Sequence, residues 1–263
     1  MSQKRDLGHP ADHLFMILKS YFDGGTDAKQ KRVTVATVCG TSEQWRGFAP
    51  AWKLILDTHH APFLHTTDAV SLKGEFDKAK GWDKASVDLF ISDCVALIAQ
   101  YIDRLFIVTL SVEFDDYRRA RETLPSLPNA VSEICATESA GFCFKWGRSI
   151  GANWYQLYFD QGEPFFGHIY DRKHHPKAKR AIPLLSRVIH LGEADMRFTP
   201  ALQMADLFAW CINHNDHVSR EWHGKLHGLA WRSLCLKHEN LLNPKKGALE
   251  LVRSWNLPRR KLT

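Results

Sequence analysis

The chain has no apolar run near the roughly 20 residues that a membrane-spanning helix needs. Its opening stretch, MSQKRDLGHPADH, carries no apolar segment directly after Lys4 and Arg5, so it does not read as a secretory signal. Cysteines are few: Cys39, Cys94, Cys135, Cys143, Cys211 and Cys235 show no close pairing in sequence, and most sit inside apolar patterns as reduced core thiols do. These absences predict a cytoplasmic protein with no membrane partner. A glycine-rich phosphate loop is missing, and so is a G-x-S-x-G elbow, which removes two common routes to hydrolysis. Internal repeats and low-complexity segments are absent as well.

Hydrophobic residues make up 44% of the 263 positions and charged residues 24%, enough to bury a core in one large α/β domain. The formal net charge is +6, which permits a polyanionic partner without requiring one. Its distribution is uneven. DRKHHPKAKR (171–180) holds Arg172, Lys173, Lys177, Lys179 and Arg180, and PKK (244–246) and PRRK (258–261) follow. Each cluster alone reads as a solvated loop; three in the C-terminal third shift the reading toward a phosphate-facing surface.

Periodicity predicts strands over 13–22, 32–40, 61–67, 104–113, 153–160 and 184–192. Helices are expected over 42–57 (Ser42 as N-cap, with Pro50 bending or splitting it), 83–102, 129–146 and 199–214. The last stretch, about 45 residues, reads as helical. The order implies a mixed sheet covered by helices, with residues 1–215 as the main domain and 216–263 as a helical extension packed on it.

Three carboxylates stand where a core should be. Asp23 ends the apolar run LKSYFD and is followed by Gly24 and Gly25; Asp160 ends WYQLYFD and is followed by Gln161 and Gly162. Each is either the start of a turn or a ligand at a strand's carboxyl end, where open α/β sheets bind. Asp206 lies within the almost wholly apolar helix PALQMADLFAWCI, where an ionised group costs several kcal/mol unless it is paired, hydrogen-bonded or bound to metal. Gln203 and Asn213 share its helical face and form a polar stripe with it. Three such oxygen donors suit magnesium or manganese.

These motifs, YFDGG, FLHTTDA, YFDQG and LQMADLFAW, together resemble those of an uncharacterised, mainly prokaryotic family with a ribonuclease H-like fold. That family shows Asp-Glu-Ser-Gly at the first strand, a His-containing segment, a strand-end Asp and a late Leu-Gln-x-Ala-Asp helix. The resemblance implies an α/β ribonuclease H-like mixed sheet and a metal-dependent nuclease, or a related phosphodiester-cleaving enzyme. Asp23, Asp160 and Asp206 would hold Mg2+ or Mn2+, and His65 would contact substrate or a water on the metal. Gly24 stands where the family has Glu; Glu163, Asp68 and Glu113 are candidates to replace that carboxylate. Nucleic acid would be the partner, held by Arg172, Lys173, Lys177, Lys179 and Arg180. A non-catalytic nucleic-acid-binding or regulatory module and a metal-dependent phosphoesterase on small nucleotides are the alternatives. Cys211, His214 and His217 give a C-x2-H-x2-H spacing near His223 and His227, but no fourth zinc ligand is evident. His59–His60 and His174–His175 read as surface pairs.

Overall fold

The apolar run that opens the described residues does not stop at Asp23. Strand β1 covers Ile17–Thr26 and carries Asp23, Gly24 and Gly25 inside it. This corrects the expected strand end. The hairpin is closed further on, where the Asp27 side chain accepts the Arg32 N–H at 2.9 Å. Our computed structural model of the protein describes residues 16–27, 29, 31–181, 183–214 and 220–242. The basic clusters at 244–246 and 258–261, the His217 ligand and the Lys179 side chain lie outside the described residues.

Strand β2 (Arg32–Thr41) is β-branched and nearly all buried, and pairs antiparallel with β1. Helix α1 (Ser42–His59) follows directly. Its N-cap is Thr41, not Ser42: Gln44 N–H donates to Thr41 Oγ1 and Thr41 N–H to Gln44 Oε1. The helix runs on through Pro50 without splitting. The expected strand at 61–67 is absent, because α2 (Thr66–Ser71) begins inside it. The physical reason is that its backbone donors go to side chains. Leu64 N–H donates to Gln203 Oε1 and Thr66 N–H to Asp206 Oδ2, which leaves no ladder to join.

Helix α3 (Lys84–Tyr101) and strand β3 (Phe106–Glu113) match the periodicity. A helix not among those expected, α4 (Phe114–Thr123), precedes α5 (Val131–Ser149) and β4 (Trp154–Asp160). Helices α6 (Phe166–His174) and α7 (Pro176–Ala181) carry the basic stretch. Residues Pro183–Arg187 form a 3-10 turn, so strand β5 starts only at Val188 and runs to Ala194. Helix α8 is Pro200–Asn213 and α9 is Glu221–His227. The tail is not purely helical: strand β6 (Arg232–Leu236) joins the sheet beside β3 before α10 (His238–Leu242).

The six strands form one mixed sheet in the order β5-β4-β1-β2-β3-β6. Strands β2 and β3 are antiparallel neighbours, whereas β4 is parallel to β1 and β5 to β4. Alternation gives each strand two faces. Leu18 and Phe22 of β1 and Val33, Val35 and Cys39 of β2 face α5, whereas Ala36 and Val38 pack with α1, α3 and α8. Helices thus cover both faces. All six cysteines are free, and only Cys235 is exposed.

Candidate metal centre between two parallel strands

Strands β1 and β4 are parallel neighbours in the middle of the sheet, with β2 and β3 on one side and β5 on the other. The chain direction around the sheet switches here, which is where α/β sheets open a crevice. Tyr21 lies opposite Tyr158 and Phe22 opposite Phe159. Asp23 and Asp160 occupy the next positions, on strands about 4.8 Å apart. The Tyr21 and Tyr158 rings stack on one face with centroids 4.9 Å apart. Two residues further along, Asp23 and Asp160 return to that same face. It is the face covered by α8, which carries Asp206.

A fourth carboxylate completes the group. Glu163, in the loop after β4, has its Oε1 2.9 Å from Gly24 N, whose N–H it accepts. A Cβ at residue 24 would stand 2.8 Å from Glu163 Oε2 and 2.9 Å from the Phe165 ring. Gly24 is therefore a close-approach glycine within a strand, not a turn glycine. Glu163 fills the space that a side chain at 24 would need. The other two candidate replacements are already paired, Asp68 at the rim of the group, where its charge raises Asp206. Glu113 is bound by Arg32 at 2.6 Å, and Asp68 pairs with His65 Nδ1 at 2.8 Å. Sequence spacing ranks none of the three; the DQGE turn (160–163) is the one local signal that places Glu163 near Asp160.

The charges oppose one another. Burial pushes Asp23 well above the usual carboxylate range, and the negative charges of Asp206, Glu163 and Asp160 push it further. Glu163 is pushed up to about 7, chiefly by burial, with Asp160 and Asp206 adding to it and the Gly24 N–H opposing. Asp160 is raised by burial, against N–H bonds from Gln161 and Met196. Burial also raises Asp206, opposed by His65 and by the Thr66 N–H. His65 loses by burial but gains more from Asp206 and Asp68, so its net shift is upward. Among the described residues, no lysine or arginine forms an ion pair with any of the four carboxylates. Asp23 Oδ2 is buried and accepts no hydrogen bond.

The polar stripe on α8 divides by role. Gln203 is structural: its Oε1 accepts from Trp52 Nε1 and Leu64 N, and its Nε2 donates to the Met196 carbonyl. Asn213 accepts from Thr34 Oγ1 at 2.6 Å. Asp206 shares neither network and is held by the Thr66 N–H at 2.6 Å.

The basic stretch is not gathered with the carboxylates. Helices α6 and α7 place Ile169 and Ala178 in the layer built on α5, across the sheet from α8. Lys173 Nζ donates to the Val188 carbonyl, and Arg172 is half-buried near Glu138 and His168. Lys177 and Arg180 are exposed there. Along the carboxylate face, by contrast, runs a cavity of about 290 Å³ lined by Tyr21, Trp45, Phe48, Tyr158 and Phe198 among others. Of the paired histidines, His174 and His175 are exposed as expected. His59 is not a surface residue: it packs inward and pairs with Asp93 at 2.7 Å.

Comparison with known protein families, with curated proteins and with solved structures returns no match for this chain.

Proposed function

We propose that this protein is a divalent-metal-dependent phosphodiester hydrolase of ribonuclease H-like type, acting on nucleic acid. The observation that carries the reading is the set Asp23, Asp160, Glu163 and Asp206. These are four acidic groups around a strand switch point, each raised in pKa first by burial, with one buried oxygen lacking a donor; among the described residues no lysine or arginine pairs with them, and His65 is the one basic group that acts on Asp206. A group of this kind is costly without a cation and is what a hard, oxygen-preferring ion stabilises. The sheet order, with three antiparallel strands followed by two parallel to the first, agrees with the fold that the motifs imply.

The residues fit Mg2+ or Mn2+. Asp23 and Asp206 would be the inner ligands, because they are the most buried, with Asp160 and Glu163 at the open side. No three of these carboxylates bring ligand atoms within 4.8 Å of one another. The side chains would have to draw closer around an ion, with waters filling the rest of the shell, because magnesium uses few protein ligands. A bound divalent cation supplies Lewis-acid neutralisation of a phosphodiester oxygen. The chain's own parts do the rest. The Thr66 N–H fixes Asp206, the Gly24 N–H fixes Glu163, and the Met196 N–H holds Asp160 at 3.1 Å. His65, held by Asp68, is poised to move a proton at the rim. Glu163 is pushed up to about 7 in the metal-free protein; a bound cation would lower it and leave the carboxylate ionised beside an attacking water. The cavity further along the same face has one well-exposed ring at its edge, Phe198, on which a base would stack.

One observation favours the second reading, a phosphoesterase on small nucleotides: Lys177 and Arg180 lie in the other layer, away from the carboxylates. The test is incubation of the full chain with end-labelled RNA and DNA, single-stranded and duplex, and with a dinucleotide, each in magnesium, manganese and EDTA. Metal-dependent cleavage of a polymer, lost in Asp23→Asn and Asp206→Asn, is the expected result. Cleavage of the dinucleotide alone selects the second reading. No cleavage of any substrate by folded protein in manganese overturns the hydrolase and leaves a non-catalytic module.

A further inference from the structure

A second cluster of metal-binding side chains lies past Asp206 on the same helix. Cys211 closes the buried part of α8, and His223 and His227 sit four residues apart on α9, hence on one helical face. Among the described residues, these form the one trio of His, Cys, Asp or Glu whose ligand atoms all lie within 4.8 Å of one another. Around a tetrahedral zinc, bonds of about 2.0–2.3 Å place ligand atoms roughly 3.3–3.7 Å apart. A closure of about an ångström would therefore complete the geometry. Cys211 and His223 are fully buried and His227 is exposed, so two ligands come from the core and the third from the rim. The wall is aromatic: Trp210 packs edge-on to His223, and the Trp231 ring centroid is 5.7 Å from that of His227.

A plainer role competes. His223 Nε2 lies 3.3 Å from the Cys211 carbonyl, so the imidazoles could simply cap the last carbonyls of α8. Capping explains the rings but not the thiol, whose place a hydrocarbon would fill as well. The donor set is also the opposite of the carboxylate centre. A thiolate and two imidazoles select zinc, whereas carboxylates select magnesium or manganese.

We propose that Cys211, His223 and His227 form a zinc site, distinct from the carboxylate centre, that ties α9 to the end of the helix bearing Asp206. Binding converts the Cys211 thiol to a zinc thiolate and releases one proton to solvent. The two imidazoles bind as neutral donors and no redox step occurs.

The test is titration of the full, chelator-treated and reduced chain with cobalt(II), followed by zinc. One equivalent of cobalt should give a thiolate-to-cobalt charge-transfer band in the near ultraviolet, which zinc then abolishes. Cys211→Ser should lose the band, whereas Cys235→Ser, which removes the exposed thiol, should keep it. Asp206→Asn should keep it too, which separates this site from the carboxylate centre whatever the fate of the hydrolase reading. Because Cys211 is buried and its variant can fail to fold, the exposed His227→Gln provides a second reading, with cobalt affinity expected to fall roughly tenfold or more. Absence of the band in folded wild type, its loss in Cys235→Ser, or unchanged affinity in His227→Gln would each overturn the proposal.

Discussion

Alanine at residue 24 puts a methyl carbon 2.8 Å from Glu163 Oε2 and 2.9 Å from the Phe165 ring. The carboxylate can swing aside, but Phe165 is fully buried and cannot. Gly24→Ala should therefore cost about 1–3 kcal/mol in urea unfolding, as overpacking does. Displacing Glu163, it should also lower metal-dependent cleavage. An alanine variant as stable and active as wild type would show that Glu163 does not depend on the empty space at 24. Asp206 was legible from sequence because a charge in an apolar helix has to be explained. Glu163 was legible only as one of three candidates, because its tie to Gly24 spans 139 residues and consists of an absent side chain.

Gln203 shows how one element positions another. Its amide satisfies Trp52 of α1, the backbone of Leu64 before α2, and the carbonyl of Met196 before α8. Gln203→Ala leaves those buried groups without partners and should cost roughly 3 kcal/mol or more. It should also loosen the His65–Thr66 segment against Asp206, so metal affinity falls together with stability. Denaturant unfolding with and without magnesium measures both; a loss below about 1 kcal/mol would contradict this structural role. The same bonds explain why the sequence misleads at 61–67. APFLHTT has strand-like composition, yet its donors are claimed by Gln203 and Asp206 on a helix some 140 positions away. Helices α3, α5 and α8 were readable because their signals are local: spaced apolar residues in α3, a long apolar run opened by Pro200 in α8. Strand β6 was not, because five residues in alternating exposure become a strand only beside β3.

At the scale of the whole molecule, the carboxylates set how stability depends on pH. The folded metal-free protein holds Glu163's proton up to about pH 7, whereas the unfolded chain releases it near 4.5. Folding therefore binds protons between those values. The Glu163 contribution is fully present below about pH 4.5 and is lost as pH rises through 7. Glu163→Gln should flatten that fall in EDTA and keep the bond from Gly24, because a glutamine oxygen still accepts. Melting curves of both proteins from pH 4 to 8 compare the slopes, and parallel slopes would contradict the shift. Charge placement gives a second expectation. Binding of nucleic acid should weaken steeply with salt through counterion release. Reversing Lys177 and Arg180, which lie across the sheet from the carboxylates, should lower affinity without changing the metal dependence. If those reversals abolish metal dependence instead, the two layers are coupled in a way the fold does not suggest.

The central claim is that the carboxylate centre holds a divalent cation, and thermal unfolding of wild type and Asp206→Asn, each in EDTA and in magnesium, tests it most directly. Asparagine keeps the shape and still accepts from the Thr66 N–H, but it removes one of the charges that raise Asp23. In EDTA the variant should equal or exceed wild type in stability. Magnesium at a hundredfold excess over its dissociation constant should stabilise wild type by about 2.7 kcal/mol and the variant far less. A variant destabilised by the same 1–3 kcal/mol or so in both conditions would mark Asp206 as a structural acceptor only and would contradict the metal centre.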